Sequence, residues 1–261
     1  MKWSLLVGKF WGAEIRLHIS LLLLIPYAFF AFKPESLNGL LRVLALLVGI
    51  FACVALHEMG HTLAARLFGI QASSIVLWPL GGYTSLSRRP EKLIAELVIS
   101  AAGPLANLIL FAGLALVTGI ERILEDSQAF PTLSRLLWQS DLFAFLATLA
   151  VANLALALFN LAPVYPLDGG QIARGVLKGI FGERHADLVM LVVSLPLALV
   201  ITGIGLALGD LGVILTGLIL LLASATLNQN LANWLSLGVL YLFDRPEYYL
   251  KNQDYDRAVS A

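Results

Sequence analysis

His57-Glu58-Met59-Gly60-His61 stands inside an apolar run reaching from Leu40 to Leu67, where charged and imidazole groups are costly. The run is long enough to be a membrane-crossing helix, and on a helix residues 57 and 61 share one face a turn apart, so both imidazoles can bind the same ion. Glu58 falls beside that face. The pattern is H-E-x-x-H, in which the two histidines ligate zinc and the glutamate is free to take a proton from a metal-activated water.

Composition agrees with a lipid setting. The 261 residues are 59% hydrophobic and 13% charged, with formal charge zero, and the mean hydropathy is +0.86. This is the profile of a polytopic membrane protein, and it offers no pull toward nucleic acid. The single cysteine, Cys53, excludes an intrachain disulfide and any multi-thiolate metal cage. One turn before His57, it reads as a small packing residue, with a role near the metal as the alternative.

Apolar stretches long enough to cross the hydrocarbon occur near residues 16–34, 40–68, 93–118, 141–162, 186–208 and 211–228. The fold expected is therefore all-α and polytopic, with six transmembrane helices. Residues 70–87 add a small membrane-associated β-hairpin or re-entrant loop, because Ile75, Val76, Leu77, Trp78 and Tyr83 around Gly81-Gly82 are β-prone. The first stretch follows Lys2, Lys9 and Arg16 and lacks a small-residue cleavage site, so it is expected to persist as a helix. With the N-terminus inside, thirteen basic residues flank the cytoplasmic side and four (Lys33, Arg42, Arg122, Arg135) the other. That asymmetry predicts an integral membrane protein with both termini cytoplasmic.

In this orientation the second span runs inward, and the ligands lie roughly 8–14 Å deep, counting from Arg66 at 1.5 Å per residue. The fourth span also runs inward and ends in Asn160-Leu-Ala-Pro163-Val-Tyr-Pro166-Leu-Asp168-Gly169-Gly170, where two prolines should break the helix near the same depth. Asp168 is thereby delivered to His57 and His61. A carboxylate there completes three protein ligands and leaves a fourth position for water. The alternative is an ordinary cap for a helix starting near Gln171.

The pairing of His57-Glu58-x-x-His61 with Asn160-x-x-Pro163-x-x-Pro166-Leu-Asp168-Gly169 resembles the site-2 protease family of intramembrane zinc metalloproteases. Ala102-Gly103-Pro104-Leu105-Ala106-Asn107 and Pro79-Leu80-Gly81-Gly82 resemble further family segments, so the likeness covers roughly residues 10–185. The resemblance implies a three-helix core, spans two to four, that hydrolyses peptide bonds in or beside the transmembrane segments of membrane-anchored protein substrates. It implies Zn2+ held by His57, His61 and Asp168, with Glu58 as general base. Asn160 matches a substrate-binding or oxyanion position; an interhelical amide bond is its alternative. Gly81 and Gly82 would mark an edge to which an unwound substrate adds as a strand, or else an interfacial hairpin without that role.

A single domain is expected over residues 1–243, with its catalytic core at about 40–170, and residues 244–261 form a short cytoplasmic tail. Residues 119–140 are too short for the PDZ domain some relatives carry there, and the tail is too short for a CBS domain. The expected setting is the lipid bilayer of a prokaryotic cell membrane. Gly103-Pro104 should loosen the third span and free backbone groups for Asn107 or water to satisfy, and Pro196 reads either as a kink that moves the fifth span aside or as ordinary packing. Asn228, Gln229, Asn230 and Asn233 read as an interfacial cluster, with a gate residue for substrate or water as the alternative; His18 reads as an interfacial imidazole close to Arg16, and His185 lacks partners at a ligand spacing. The competing class is a membrane transporter or metal-handling protein, which would show inverted repeats; residues 131–261 hold no counterpart of the histidine motif.

Overall fold

The structure, a computed structural model, describes residues 3–34, 36–79, 81–119 and 142–224. Strands β1 (Ser4–Phe10) and β2 (Ala13–His18) form a hairpin through Trp11-Gly12. Both loop residues have positive φ, 46° and 93°, as a two-residue type I′ connection requires. A 3-10 turn and the short helix α1 (Leu24–Phe32) lead to α2 (Leu37–Leu67), which carries the histidine motif.

Ser36 caps α2, its Oγ accepting from Gly39 N–H at 3.1 Å. The helix stops where Gly69 turns left-handed (φ 69°). There Gly69 N–H donates to Arg66 O and Ile70 N–H to Ala65 O, the paired bonds of a Schellman ending. The chain then enters β3 (Ala72–Trp78) and β4 (Gly81–Leu86). β2 pairs parallel with β3, β3 pairs antiparallel with β4, and the order β1-β2-β3-β4 leaves β4 at an edge. Arg66 ties the sheet to the end of α2: its guanidinium stands 5.0 Å over the Trp11 ring and donates to Trp11 O at 3.3 Å.

Helices α3 (Leu93–Thr118) and α4 (Leu142–Asn160) pack on α2. Gly60 lets α3 approach closely, since a Cβ there would lie 2.7 Å from Ala102 O. Gly49 faces Leu149 and Cys53 faces Asn153, so α2 and α4 run in parallel. Ile99, Gly103 and Phe111 meet progressively earlier levels of that pair, so α3 runs against both. The sheet packs on the same bundle, with Ala13, Ile75 and Leu77 against Val54. After α4 the chain passes Pro163 and Pro166 and begins α5 (Asp168–Phe181).

The described residues fall into two compact units: those up to Pro163 together with Leu167–Val176, and Val164–Pro166 together with residues 177–224. In the second, α6 (Glu183–Leu208) turns at left-handed Gly209 into α7 (Leu211–Ser224). Gly205 packs on Ile214 and Gly217 on Thr202, the close small-residue contact of lipid-embedded helix pairs. Tyr165 N–H donates to Ser194 Oγ (2.9 Å), and Ser224 Oγ donates to Tyr165 O (3.2 Å).

Two expectations are corrected. The stretch 16–34 is not one transmembrane helix: its start belongs to β2, and the remainder is a 3-10 turn and a nine-residue helix. The alternation Ala13-Glu-Ile-Arg-Leu-His18 has the period of a strand, and Arg16 ion-pairs with Glu14 at 2.6 Å on the same strand face. The β element is likewise a four-stranded sheet, where a hairpin or re-entrant loop was expected. Among the described residues four helices, α2, α3, α4 and α6, are long and apolar enough to cross a membrane, against the six spans read from sequence. The sixth stretch begins as α7, and its end lies outside the described residues. So do the interfacial cluster 228–233, residues 120–140 and the tail 244–261. Only 22–39% of the most apolar window of each long helix is buried. So much outward apolar surface suits lipid rather than water.

Candidate metal centre and active site

The i, i+4 spacing on α2 turns both Nε2 atoms of His57 and His61 to one point, 3.2 Å apart. Asp168, the first residue of α5, brings Oδ2 to 3.1 Å from His57 Nε2 and 3.3 Å from His61 Nε2. All three side chains are buried, and they form a group of ligand atoms able to hold one metal ion. The donor set and its spacing fit a tetrahedral ion: ligands about 2.05 Å from zinc stand about 3.3 Å from one another. The tautomer fits as well. His61 Nδ1 donates to Ile99 O at 2.7 Å, which leaves the Nε2 lone pair for a metal.

Glycines make room for this cluster. A Cβ on Gly103 would run into Nε2 of both histidines, so α3 can pass the ligands only as bare backbone there. A Cβ on Gly169 would run into the Leu161 and Ala162 carbonyls, so the turn that presents Asp168 closes only with glycine after it.

Glu58 stands outside the ligand set. Its side chain lies over β4, where a Cβ on Gly82 would come within 2.7 Å of Glu58 Cγ and 2.9 Å of Oε1. Thr84 Oγ1, also on β4, donates to Glu58 Oε2 at 2.7 Å. The carboxylate is thus buried and held by the edge strand while remaining on the helix that bears the histidines.

The other residues singled out in the sequence separate clearly. Gly81 and Gly82 open β4, paired with Trp78 and Leu77. Asn160 ends α4, half-buried, with Nδ2 donating to Leu156 O at 3.0 Å. Cys53 accepts from Asn153 Nδ2 at 3.1 Å within the helix packing. His18 accepts from Ser20 N–H at the start of the 3-10 turn, and His185 Nδ1 lies 3.0 Å from Phe181 O; neither belongs to the cluster. Sequence reasoning missed Thr84 and the Ile99 carbonyl. Neither stands at a telling spacing from the histidines, and only the packing of β4 and α3 on α2 reveals them.

Residues 45–203 match peptidase family M50. The chain belongs to that family. A zinc metalloprotease of Methanocaldococcus jannaschii is 30% identical over 206 residues, covering 79% of this chain and 55% of that protein. Stage IV sporulation protein FB of Bacillus subtilis is 24% identical over 167 residues, covering 64% and 49%. The solved structure of the site-2 protease from M. jannaschii superposes with a TM-score of 0.63 at 28% identity, over 86% of this chain and 94% of that one. This M50 chain spans between 38% and 55% of the length of the curated relatives it matches. The likeness to site-2 proteases carried by the two motifs is thereby confirmed, and the matched region contains both.

Proposed function

We propose that this chain is a zinc-dependent endopeptidase that cuts peptide bonds within or next to the transmembrane segments of membrane-anchored proteins. The observation that carries this is a buried triad of ligand atoms with an acid beside it that is not a ligand. His57, His61 and Asp168 would hold the metal. A bound zinc would supply polarisation of the scissile carbonyl and a lowered pKa for water. Glu58 takes one proton from the attacking water as its oxygen bonds to the carbonyl carbon. The same carboxyl then passes that proton to the departing amine nitrogen as the C–N bond breaks. Asn160 serves the substrate or the developing oxyanion.

The edge strand β4, opened by Gly81 and Gly82, offers the means to hold an extended substrate, with Gly82 leaving its surface low beside Glu58. The catalytic core lies within about residues 40–170 of a single domain. The asymmetry of basic residues supports a reading with both termini, and so residues 244–261, on the cytoplasmic side. A prokaryotic membrane is supported by the relatives from M. jannaschii and B. subtilis.

The test is cleavage of a panel of membrane-anchored peptides by the purified, zinc-loaded chain and its Glu58→Gln variant. The wild type should cut, and the variant should keep its metal and lose cleavage. Cleavage undiminished in Glu58→Gln would overturn the assignment.

A further inference from the structure

The two histidines are unequally supported. His61 Nδ1 has the Ile99 carbonyl at 2.7 Å, whereas His57 Nδ1 is buried without a hydrogen-bond partner. A histidine bound to a metal through Nε2 almost always donates its other N–H to a carboxylate, a carbonyl or a water, and a buried donor left unmade costs more than an ordinary bond gains.

Among the described residues three more buried polar atoms lack partners: Asn107 Nδ2, Asn107 Oδ1 and Asn153 Oδ1. Both asparagines are almost wholly inaccessible, at 1% and 0% exposure, so no bulk solvent reaches them. The helix levels place them together. Phe111 and Leu114 of α3 pack on Ala147 and Ala150 of α4, so Asn107 and Asn153 each stand about one turn nearer the histidines. Asn153 Nδ2 meets Cys53 Sγ at 3.1 Å, and Cys53 is one turn before His57 on α2. On α3, Asn107 follows Gly103, which lies against His57 Nε2, by four residues on the same face. The orphaned atoms therefore lie at neighbouring levels of α2, α3 and α4, next to the level of His57.

We propose that these atoms frame an internal water site. One water accepts from His57 Nδ1–H and from Asn107 Nδ2–H and donates to Asn153 Oδ1. Three partners is the usual complement of a buried water. The asparagines are positioning residues: through the water they fix the tautomer in which His57 turns its Nε2 lone pair toward the metal, as Ile99 does for His61. The inference rests on the proposed ligand role of His57 and deepens it.

The test uses the zinc-loaded chain of residues 1–261 labelled with 15N-histidine. With four histidines in the chain, the His57 resonance is assigned by its disappearance in His57→Asn. Its Nδ1 proton should be protected from exchange and show cross-relaxation with water. Zinc affinity, measured by chelator competition without any peptide substrate, should fall roughly 10- to 100-fold in Asn107→Leu and recover in Asn107→Ser, which keeps a hydroxyl to hold the water. A His57 proton with no water contact in the wild type, or an Asn107→Leu variant that binds zinc as tightly as wild type, overturns the proposal. Failure of the underlying metal assignment looks different: the wild type itself would take up no zinc.

Discussion

Replacing Thr84 by valine removes one hydroxyl and little else. Valine has nearly the same shape and is as well suited to a strand, so β4 should keep its pairing with β3. The Glu58 carbonyl, 3.2 Å from Thr84 Oγ1, still accepts from Thr62 Oγ1 at 3.1 Å. What disappears is the 2.7 Å bond to Glu58 Oε2. A hydrogen bond to a charged group is worth about 1.5–3 kcal/mol, and at 1.36 kcal/mol per decade its full loss in the transition state is roughly a 10- to 150-fold fall in kcat. The assay is initial-rate cleavage of a membrane-anchored peptide over a range of substrate concentrations, with metal content measured on the same samples. Thr84→Val should lose kcat with zinc unchanged and KM little altered, and Thr84→Ser should restore the rate. A Thr84→Val enzyme with wild-type kcat would refute the idea that β4 holds the base; so would a fall explained entirely by lost zinc.

Glycine substitutions probe the packing around the site. Gly103→Ala puts a methyl group into the space of both ligand nitrogens and should lower zinc affinity roughly 5- to 150-fold, from an overpacking cost of about 1–3 kcal/mol, as read by chelator competition. Gly82→Val should leave zinc binding intact but displace Glu58, whose Cγ and Oε1 would face the new Cβ at 2.7 and 2.9 Å; the readout is a fall in kcat at unchanged metal content. Gly169→Ala meets backbone carbonyls that cannot swing away, so both thermal stability and zinc content should fall together.

The part of the molecule that holds the histidine–aspartate cluster is legible in the sequence because its signals are local. His57 and His61 share a helix face by the geometry of four residues, and Pro163 and Pro166 have to end α4 just before Asp168. The N-terminal half is obscured by its apolar content. Counting hydrophobic residues from 16 to 34 absorbs the period-two pattern of β2 into a span, and its parallel partner β3 lies beyond the whole of α2, where no local pattern announces the register. Thr84 is invisible for the same reason, since its bond to Glu58 joins residues 26 apart. Asn107 reads in the sequence as a means of satisfying a loosened α3 backbone, yet its side-chain atoms are both without partners beside Gly103-Pro104. Its amide is therefore available to the water site proposed beside His57.

The most direct measurement is zinc stoichiometry of the purified wild-type chain beside His57→Ala, His61→Ala and Asp168→Ala, each checked for an intact fold. The wild type should hold one zinc per chain and every variant far less, Asp168→Ala included, although its residue is more than a hundred positions from the histidines. A folded Asp168→Ala protein that retains a full equivalent of zinc would contradict the convergence of α2 and α5 on a single ion.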